Sequence, residues 1–414
     1  MDFSTLLQNE IKGSILFFRD YTNLTYGSRG YGLTVDNTRD PRTASIAATG
    51  FALTAWAIAV ERGLLPRDEA LRIVHGTLDT LLHRVSHFHG FFAHFLDIHS
   101  GARWKRCEFS TIDTALCLNG VVTAAAYFQD SETQQAAQEL LERVDWESLV
   151  FTERGKTLFR MAYNPDQGGD YVEGAPGWIS RWDMAAEQKM MYLLAAGRLP
   201  PETARALYAG FDRPSAPFGG GRIIFNPGGN LFAYLFSEAW LDCSRYLDPY
   251  GVDWFENTRL AAAANREFCI GLSGKFRTFH QRSWGASCGD GPQGYEVCGS
   301  RPSLFEPYVT GTVSIYSALS CLPFLPDAAA EMAMDLLQHH PQTWGPYGFF
   351  DAYNLDVEPA WYSSTLYGID KGCSLLMIEN ALTNLVWNLY TSSPTIQKGL
   401  DVLGFKLRTE EMHA

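Results

Sequence analysis

The sequence predicts an all-α protein, a (α/α)6 barrel or toroid of about twelve helices with long loops over its central cavity. Three observations carry that expectation. Segments with helical spacing recur along the whole chain, segments that are apolar all round alternate with segments that keep a polar face, and two long loops have no helical period.

Taken in order, Ala44–Arg62 places apolar residues at helical spacing and stops at Gly63, a residue suited to the left-handed turn after a helix. Leu65–Arg84 follows, with Asp68 and Glu69 in its first turn, where the helix dipole favours acids. Helices are then expected over Ser110–Phe128, Ser131–Val144, Asp183–Ala196, Glu202–Ala209, Leu231–Arg245 and Trp254–Leu272. The last four are expected over Thr310–Leu322, Ala328–His339, Gly372–Tyr390 and Ser392–Leu403. Ile46–Val60 and Leu375–Val386 are apolar on every face and read as inner helices; Pro66–Arg84 and Asp327–His340 carry a polar face and read as outer ones. Strand-like patterns are confined to short pieces such as Ser148–Thr152 and Leu158–Ala162. No polar linker divides the chain, so residues 1–414 are expected to form one domain. The loops Tyr163–Trp182 and Ser273–Pro307 are rich in glycine, aromatics and carboxylates and are expected at the rim of the barrel.

Composition narrows the partner. The chain is 46% hydrophobic and 19% charged, which suits a packed globular protein. A net charge of −13 argues against nucleic acid and anionic membrane surfaces. Aromatic residues make up 14%, with 11 Trp and 19 Tyr, and aromatic planes pack well on the C–H faces of sugars. The apolar run near Ala44–Val60 is broken by Ser45, Thr49, Gly50 and Thr54, so no membrane span is expected. Met1-Asp2-Phe3-Ser4 carries no export signal; the expectation is a cytoplasmic protein, or a periplasmic or secreted one if a signal has been trimmed. The eight cysteines form no C-x-x-C pair and read as reduced core residues.

Several carboxylates stand in apolar or aromatic surroundings, where charge is costly and needs a reason. Glu187 precedes the apolar run Met190-Met191-Tyr192-Leu193-Leu194; Asp113 lies inside an apolar helix with Glu108 five residues earlier; Asp370 precedes the most hydrophobic helix. Each also has a plain structural reading, as a first-turn acid, part of a capping cluster or an N-cap. Two converging carboxyl groups are what glycoside hydrolysis requires, one to protonate the leaving oxygen and one to activate water or attack the anomeric carbon. Trp178, Trp182, Trp284, Tyr295, Trp344, Tyr347, Trp361 and Tyr362 fall in loops, as a sugar-binding wall would, and Asp290 lies in a glycine-rich turn among them. There is no H-E-x-x-H, phosphate-binding loop or G-x-S-x-G. His83, His87, His89, His94 and His99 are close in sequence, but their irregular spacing gives no metal site. No cofactor is expected.

Longer runs add a resemblance. Ser45-Ile46-Ala47-Ala48-Thr49-Gly50-Phe51-Ala52-Leu53-Thr54-Ala55, Ser237-Glu238-Ala239-Trp240, Trp344-Gly345-Pro346-Tyr347-Gly348-Phe349 and Gly368-Ile369-Asp370-Lys371-Gly372 occur in order between about residues 27 and 390. In these runs the chain resembles the bacterial glucoamylase-like β-1,2-glucanases. The resemblance implies an (α/α)6 barrel that cleaves β-1,2-glucan to sophorose or sophorooligosaccharides, usually with inversion and without a metal. It implies Glu187 as general acid and Asp370 as a candidate for the base side, with Asp113 a matched catalytic carboxylate that could supply the base instead. Glu108, Trp178, Trp182, Trp284, Asp290, Tyr295, Tyr347, Trp361 and Tyr362 are then candidates for contacting substrate. Two departures keep other outcomes open. Lys371-Gly372-Cys373 stands where relatives often carry Gln-Gly-Pro, and Ser110-Thr111-Ile112-Asp113 is similar to the transglycosylating region of cyclic β-1,2-glucan synthases. A retaining transglycosylase, a related-linkage glycosidase and a non-catalytic glucan-binding barrel are the alternatives.

Overall fold

The computed structural model describes residues 1–166 and 177–408, so the middle of the loop Tyr163–Trp182 lies outside the described residues. Fourteen α-helices are present among them: α1 (Phe3–Tyr21), α2 (Ile46–Glu61), α3 (Arg67–His83), α4 (Thr111–Phe128), α5 (Ser131–Arg143), α6 (Lys189–Ala196), α7 (Pro201–Gly210), α8 (Phe232–Glu238), α9 (Trp254–Gly271), α10 (Ile315–Leu319), α11 (Pro326–His339), α12 (Gly368–Thr383), α13 (Leu385–Thr391) and α14 (Pro394–Leu403).

From α1 to α12 the helices alternate in character. The even-numbered ones are buried along most or all of their length: every residue of α2 from Ile46 to Ala59 is buried, as is every residue of α6 and α10. The odd-numbered ones bury one stripe only, as α5 does with Thr133, Ala137 and Leu140. Helices buried on all sides make an inner layer, and amphipathic helices cover it. Side chains cross the inner layer: Trp240 Nε1, just beyond α8, donates to Thr54 Oγ1 of α2 at 2.9 Å, and the Phe51 and Trp240 rings lie 4.5 Å apart. The apolar helix α4 is long enough by length and composition to cross a membrane, yet 78% of it is buried inside the protein.

The closest backbone approach in this layer is glycine on glycine. A Cβ on Gly120 of α4 would sit 2.0 Å from the Gly50 carbonyl oxygen of α2, and one on Gly50 would meet the Leu116 carbonyl at 2.4 Å. Backbone cannot yield as a flexible side chain can, so Gly120→Ala should push the two helices apart. The expected outcome is a loss of about 1–3 kcal/mol, seen as a lower denaturant midpoint.

Several expected elements differ in the structure. Helix α1 was not expected at all, although Asp2 caps it by accepting from Thr5 N and Phe17 and Phe18 are fully buried. The expected Asp183–Ala196 helix starts only at Lys189, because Met184 makes a strand-like bridge to Asp212 instead. Thr310–Leu322 is helical only over α10, Leu231–Arg245 only over α8 and a short 3-10 turn, and Gly372–Tyr390 is divided where Asn384 adopts a left-handed conformation. Twenty short strands lie among the described residues, more than the pieces expected. The largest sheet joins Phe109–Ser110, Val150–Glu153, Lys156–Tyr163 and Trp178–Arg181. The loop Ser273–Pro307 contains the hairpin Cys288–Gly291 with Gly294–Val297. All eight cysteines are free, and seven are buried.

Candidate active site

The three expected catalytic carboxylates all sit at the amino-terminal ends of inner helices. Asp113 is the third residue of α4, Asp370 the third of α12, and Glu187 immediately precedes the N-cap of α6. That end of a helix carries unpaired amides and partial positive charge, which favours a carboxylate. Because inner helices alternate with outer ones that return the chain, the inner helices start at the same end of the molecule.

Asp113 forms a capping pair with Ser110: the Ser110 hydroxyl accepts from Asp113 N at 3.2 Å and donates to Asp113 Oδ2. The same carboxyl group faces His94, with Oδ1 3.6 Å from Nε2, while His94 Nδ1 lies 2.7 Å from Glu108 Oε1. Burial by itself would lower the His94 pKa, but the Asp113 and Glu108 carboxylates outweigh it and hold it up at about 9. The hydrogen bond from His94 in turn holds Glu108 below its ordinary value. At neutral pH His94 is therefore an imidazolium clamped between two acids.

Glu187 is half-buried, and no side chain of a described residue hydrogen-bonds its carboxyl group. Its pKa is pushed up to about 8, first by burial, then by the negative charge of Asp113, with His94 pulling the other way. A carboxyl group that keeps its proton at neutral pH is what a general acid needs.

Asp370 is fully buried, with the Asp351 carboxyl group and the Tyr316 hydroxyl beside its own carboxyl group. Burial and the adjacent carboxyl group of Asp351 hold it well above the ordinary carboxylate range. Asp351 is raised to about 6 by burial; it accepts Asp290 N at 2.6 Å and is eased by the nearby Lys371 ammonium. Two buried carboxyl groups side by side resist carrying two negative charges, so Asp370 and Asp351 titrate as a pair. The two sides of the site are in electrostatic contact. The buried Cys288 thiol, held protonated first by burial, lies close enough to be influenced by both Asp370 and Glu187. Asp36 feels His94 and Asp113, and Asp370 feels Asp36.

The other expected substrate contacts separate into groups. Tyr295 is 49% exposed, and its ring meets Tyr367, the N-cap of α12, edge to face at 5.3 Å. Trp178 is half-buried on the sheet beside Tyr163 and under the Arg160 guanidinium. Trp361 is half-buried on a strand paired with Asn354. Three expectations need correction. Trp284 is 0% exposed and Trp182 is buried with its Nε1 bonded to Thr111 Oγ1, so neither ring offers a face to a sugar. Asp290 is buried in an ion pair with Arg39 and accepts from Ser363 Oγ, which makes it a brace for Asp351 rather than an exposed turn residue. Tyr347 packs on Phe17 and Tyr21 and donates to Asp20, and Tyr362 bonds His340; both serve contacts with outer elements.

His94, Asp36 and Asp351 belong to the cluster and were not singled out from sequence as catalytic. His94 had the only visible signal, its place in the histidine-rich stretch. The structure disperses that stretch: His83 faces Asp79, His89 faces Asp145, and His94 faces Glu108 and Asp113.

Residues 179–394 match the sequence model of the Glycoamylase family, described as "Putative glucoamylase". An exo β-1,2-glucooligosaccharide sophorohydrolase (non-reducing end) of Parabacteroides distasonis is 26% identical over 393 residues, covering 85% of this chain and 52% of that protein. The chain thus spans about half the length of that curated relative. A Bacteroides uniformis protein with the same glucoamylase description superposes with a TM-score of 0.84 at 23% identity, over 98% of each chain. The endo-β-1,2-glucanase of Chitinophaga pinensis, in complex with sophorotriose and glucose, superposes with a TM-score of 0.82 at 22% identity, over 98% of this chain and 99% of that one. At these identities the two structures establish a shared fold.

Proposed function

The chain belongs to the Glycoamylase family, and from that membership and the carboxylate cluster we propose that it hydrolyses β-1,2-glucan to sophorose or sophorooligosaccharides, with inversion. The observation that carries this reading is Glu187: a half-buried carboxyl group, pushed up to about 8, beside Asp113 and His94. The names of the Parabacteroides and Chitinophaga relatives support the substrate class. The six buried helices alternating with six covering ones support the (α/α)6 barrel as the frame.

In this mechanism Glu187 gives its proton to the glycosidic oxygen as the bond to the anomeric carbon breaks. Water adds to the opposite face of the sugar, and its proton passes to the base side. Asp370, with no exposed oxygen, serves there through a hydrogen-bonded relay as one half of the Asp351 pair, or Asp113 serves directly. Asn variants at the two positions separate these routes, because only loss of the true base abolishes turnover at a pH where Glu187 still keeps its proton. His94 is a positioning residue: its charge holds Glu108 and Asp113 in place and tempers the rise in Glu187.

The test is an incubation of the protein with linear β-1,2-glucan, followed by chromatography and NMR of the first products. Release of sophorooligosaccharides with the α-anomer formed first is the expected outcome. A β-anomer or transfer products would mean a retaining enzyme, and binding without release would mean a glucan-binding barrel. The pH profile gives an independent check. Glu187 must hold its proton, so kcat/KM should fall about tenfold per pH unit above its pKa of about 8. Asp113→Asn removes the like charge that raises Glu187, so the alkaline limb of any residual activity should move to lower pH. A limb that stays in place would show that the two carboxyl groups do not interact.

A further inference from the structure

Apolar exposure is concentrated in one part of the surface. Of the ten large apolar residues left exposed among the described residues, five (Tyr295, Val297, Leu304, Phe305 and Tyr308) lie between positions 295 and 308. The segment is not fraying. Gly299 N donates to the Tyr308 carbonyl at 3.1 Å, Ser300 N to the Gly229 carbonyl at 3.0 Å, and Leu304 N to the Pro227 carbonyl at 2.9 Å. A backbone tied down this firmly holds its apolar side chains out in water, and a concentrated patch of that kind marks a binding surface.

Part of the patch walls a cavity of about 570 Å³, lined by Tyr295, Val297 and Tyr308 together with Gln293, Glu296 and Asn354. That volume lies within the ordinary range for ligand sites. Glu296 is fixed by the Thr310 hydroxyl at 2.6 Å and is the single charged residue in the lining. Two tyrosine rings with amide and carboxylate acceptors beside them suit a ligand with C–H faces and hydroxyl edges, and a lining this poor in charge suits a neutral one. The cavity lies next to the active site, since Tyr295 touches Tyr367, three residues before Asp370, and feels the Asp370 charge.

We propose that this rim cavity is a remote subsite that holds glucose residues of a long glucan chain away from the scissile linkage, so that long substrates are favoured over short ones. The proposal rests on the β-1,2-glucan reading of the active site. The chain leaves the cleft past Tyr295 and lies against Tyr308 and Val297.

Tyr308→Ala removes one wall, and Val297→Asp places a charge in the cavity; the two side chains are 58% and 60% exposed, so neither change disturbs the core. Each variant is compared with the unmodified protein in kcat/KM on sophorotriose and on a long linear β-1,2-glucan, and in calorimetric affinity for the long glucan. The expected result is a fall of about tenfold on the long substrate, in rate and affinity alike, with little change on the trisaccharide. An equal fall on both substrates, or no fall on either, overturns the subsite while leaving the hydrolase reading intact. A variant that changes oligomeric state on a sizing column, with unchanged kinetics, would assign the patch to a second copy of the chain and also overturn it. If the unmodified protein binds the long glucan without cleaving it, the hydrolase reading fails and the calorimetry alone decides the subsite.

Discussion

Glu187→Gln should lower kcat on β-1,2-glucan by about a thousandfold while leaving the folded protein at least as stable as before. A proton donor contributes roughly 10²–10⁴-fold, so the barrier rises by about 4 kcal/mol in the middle of that range. Gln keeps the shape of the carboxyl group but has no acidic proton to give. Stability is not lost, because a carboxyl group held at about 8 must take up a proton when the chain folds at neutral pH, whereas Gln is neutral in both states, and no described side chain hydrogen-bonds the group. The substitution replaces one neutral group with another in the folded state and removes the proton uptake that folding otherwise requires, so the melting temperature should hold or rise. A second substrate sharpens the test: a β-glucoside with an acidic phenol as leaving group needs little protonation, so the variant should lose far less on it. Melting curves, kcat on glucan and kcat on the activated glycoside together isolate the proton donor. Near-normal turnover of glucan would remove Glu187 from that role, and an equal loss on both substrates would make it a binding or structural residue instead.

The sequence exposed the fold more fully than the site, for physical reasons. Inner helices are apolar on every face, and α2 was recognisable as one for that reason; the expected boundaries of α2 and α4 lie within two residues of the observed ones. Helix α12 was placed four residues late, because Gly368 and Gly372 look like loop residues. Their purpose is packing: a Cβ on Gly372 would sit 2.3 Å from the Phe51 ring, and one on Gly368 would sit 2.6 Å from Ala48 Cβ. Helix α1 escaped notice because its apolar stripe is interrupted by Glu10 and Gly13, both buried in the structure. In the site, Asp113 and Glu187 were visible as acids beside apolar runs. Asp351 was not, because the pairing that defines it joins it to Asp370 and Asp290 through contacts between distant segments. Trp182 and Trp284 were misplaced among the aromatic residues for a similar reason. Position in a loop says nothing about exposure, and Trp284 is as deeply buried as any residue of the core.

Lys371, the departure from the family pattern beside Asp370, leads to the second large effect. Its ammonium is buried, ion-paired with the buried Glu10 of α1 and bonded to the Phe349 carbonyl at 3.1 Å. Glu10 also accepts Phe349 N at 2.8 Å, so one carboxylate ties α1, α12 and the strand Gly348–Phe349 together. A buried ion pair adds little net stability, but removing one partner strands the other charge in a low dielectric. Glu10→Gln and Lys371→Met should each lower the unfolding free energy by about 3–5 kcal/mol, and the double variant should lose less than the sum of the two. Simple additivity in denaturant titrations would show that the two groups do not act as a pair. The lysine also reaches the chemistry, because its positive charge lowers the Asp351 pKa beside Asp370. Losing that charge in Lys371→Met raises the pKa of the carboxyl pair, so the acid limb of kcat/KM should move to higher pH if the pair supplies the base. If Asp113 supplies it, the limb should stay where it is even though the protein is less stable, so one variant separates the structural role of Lys371 from its effect on the proton acceptor.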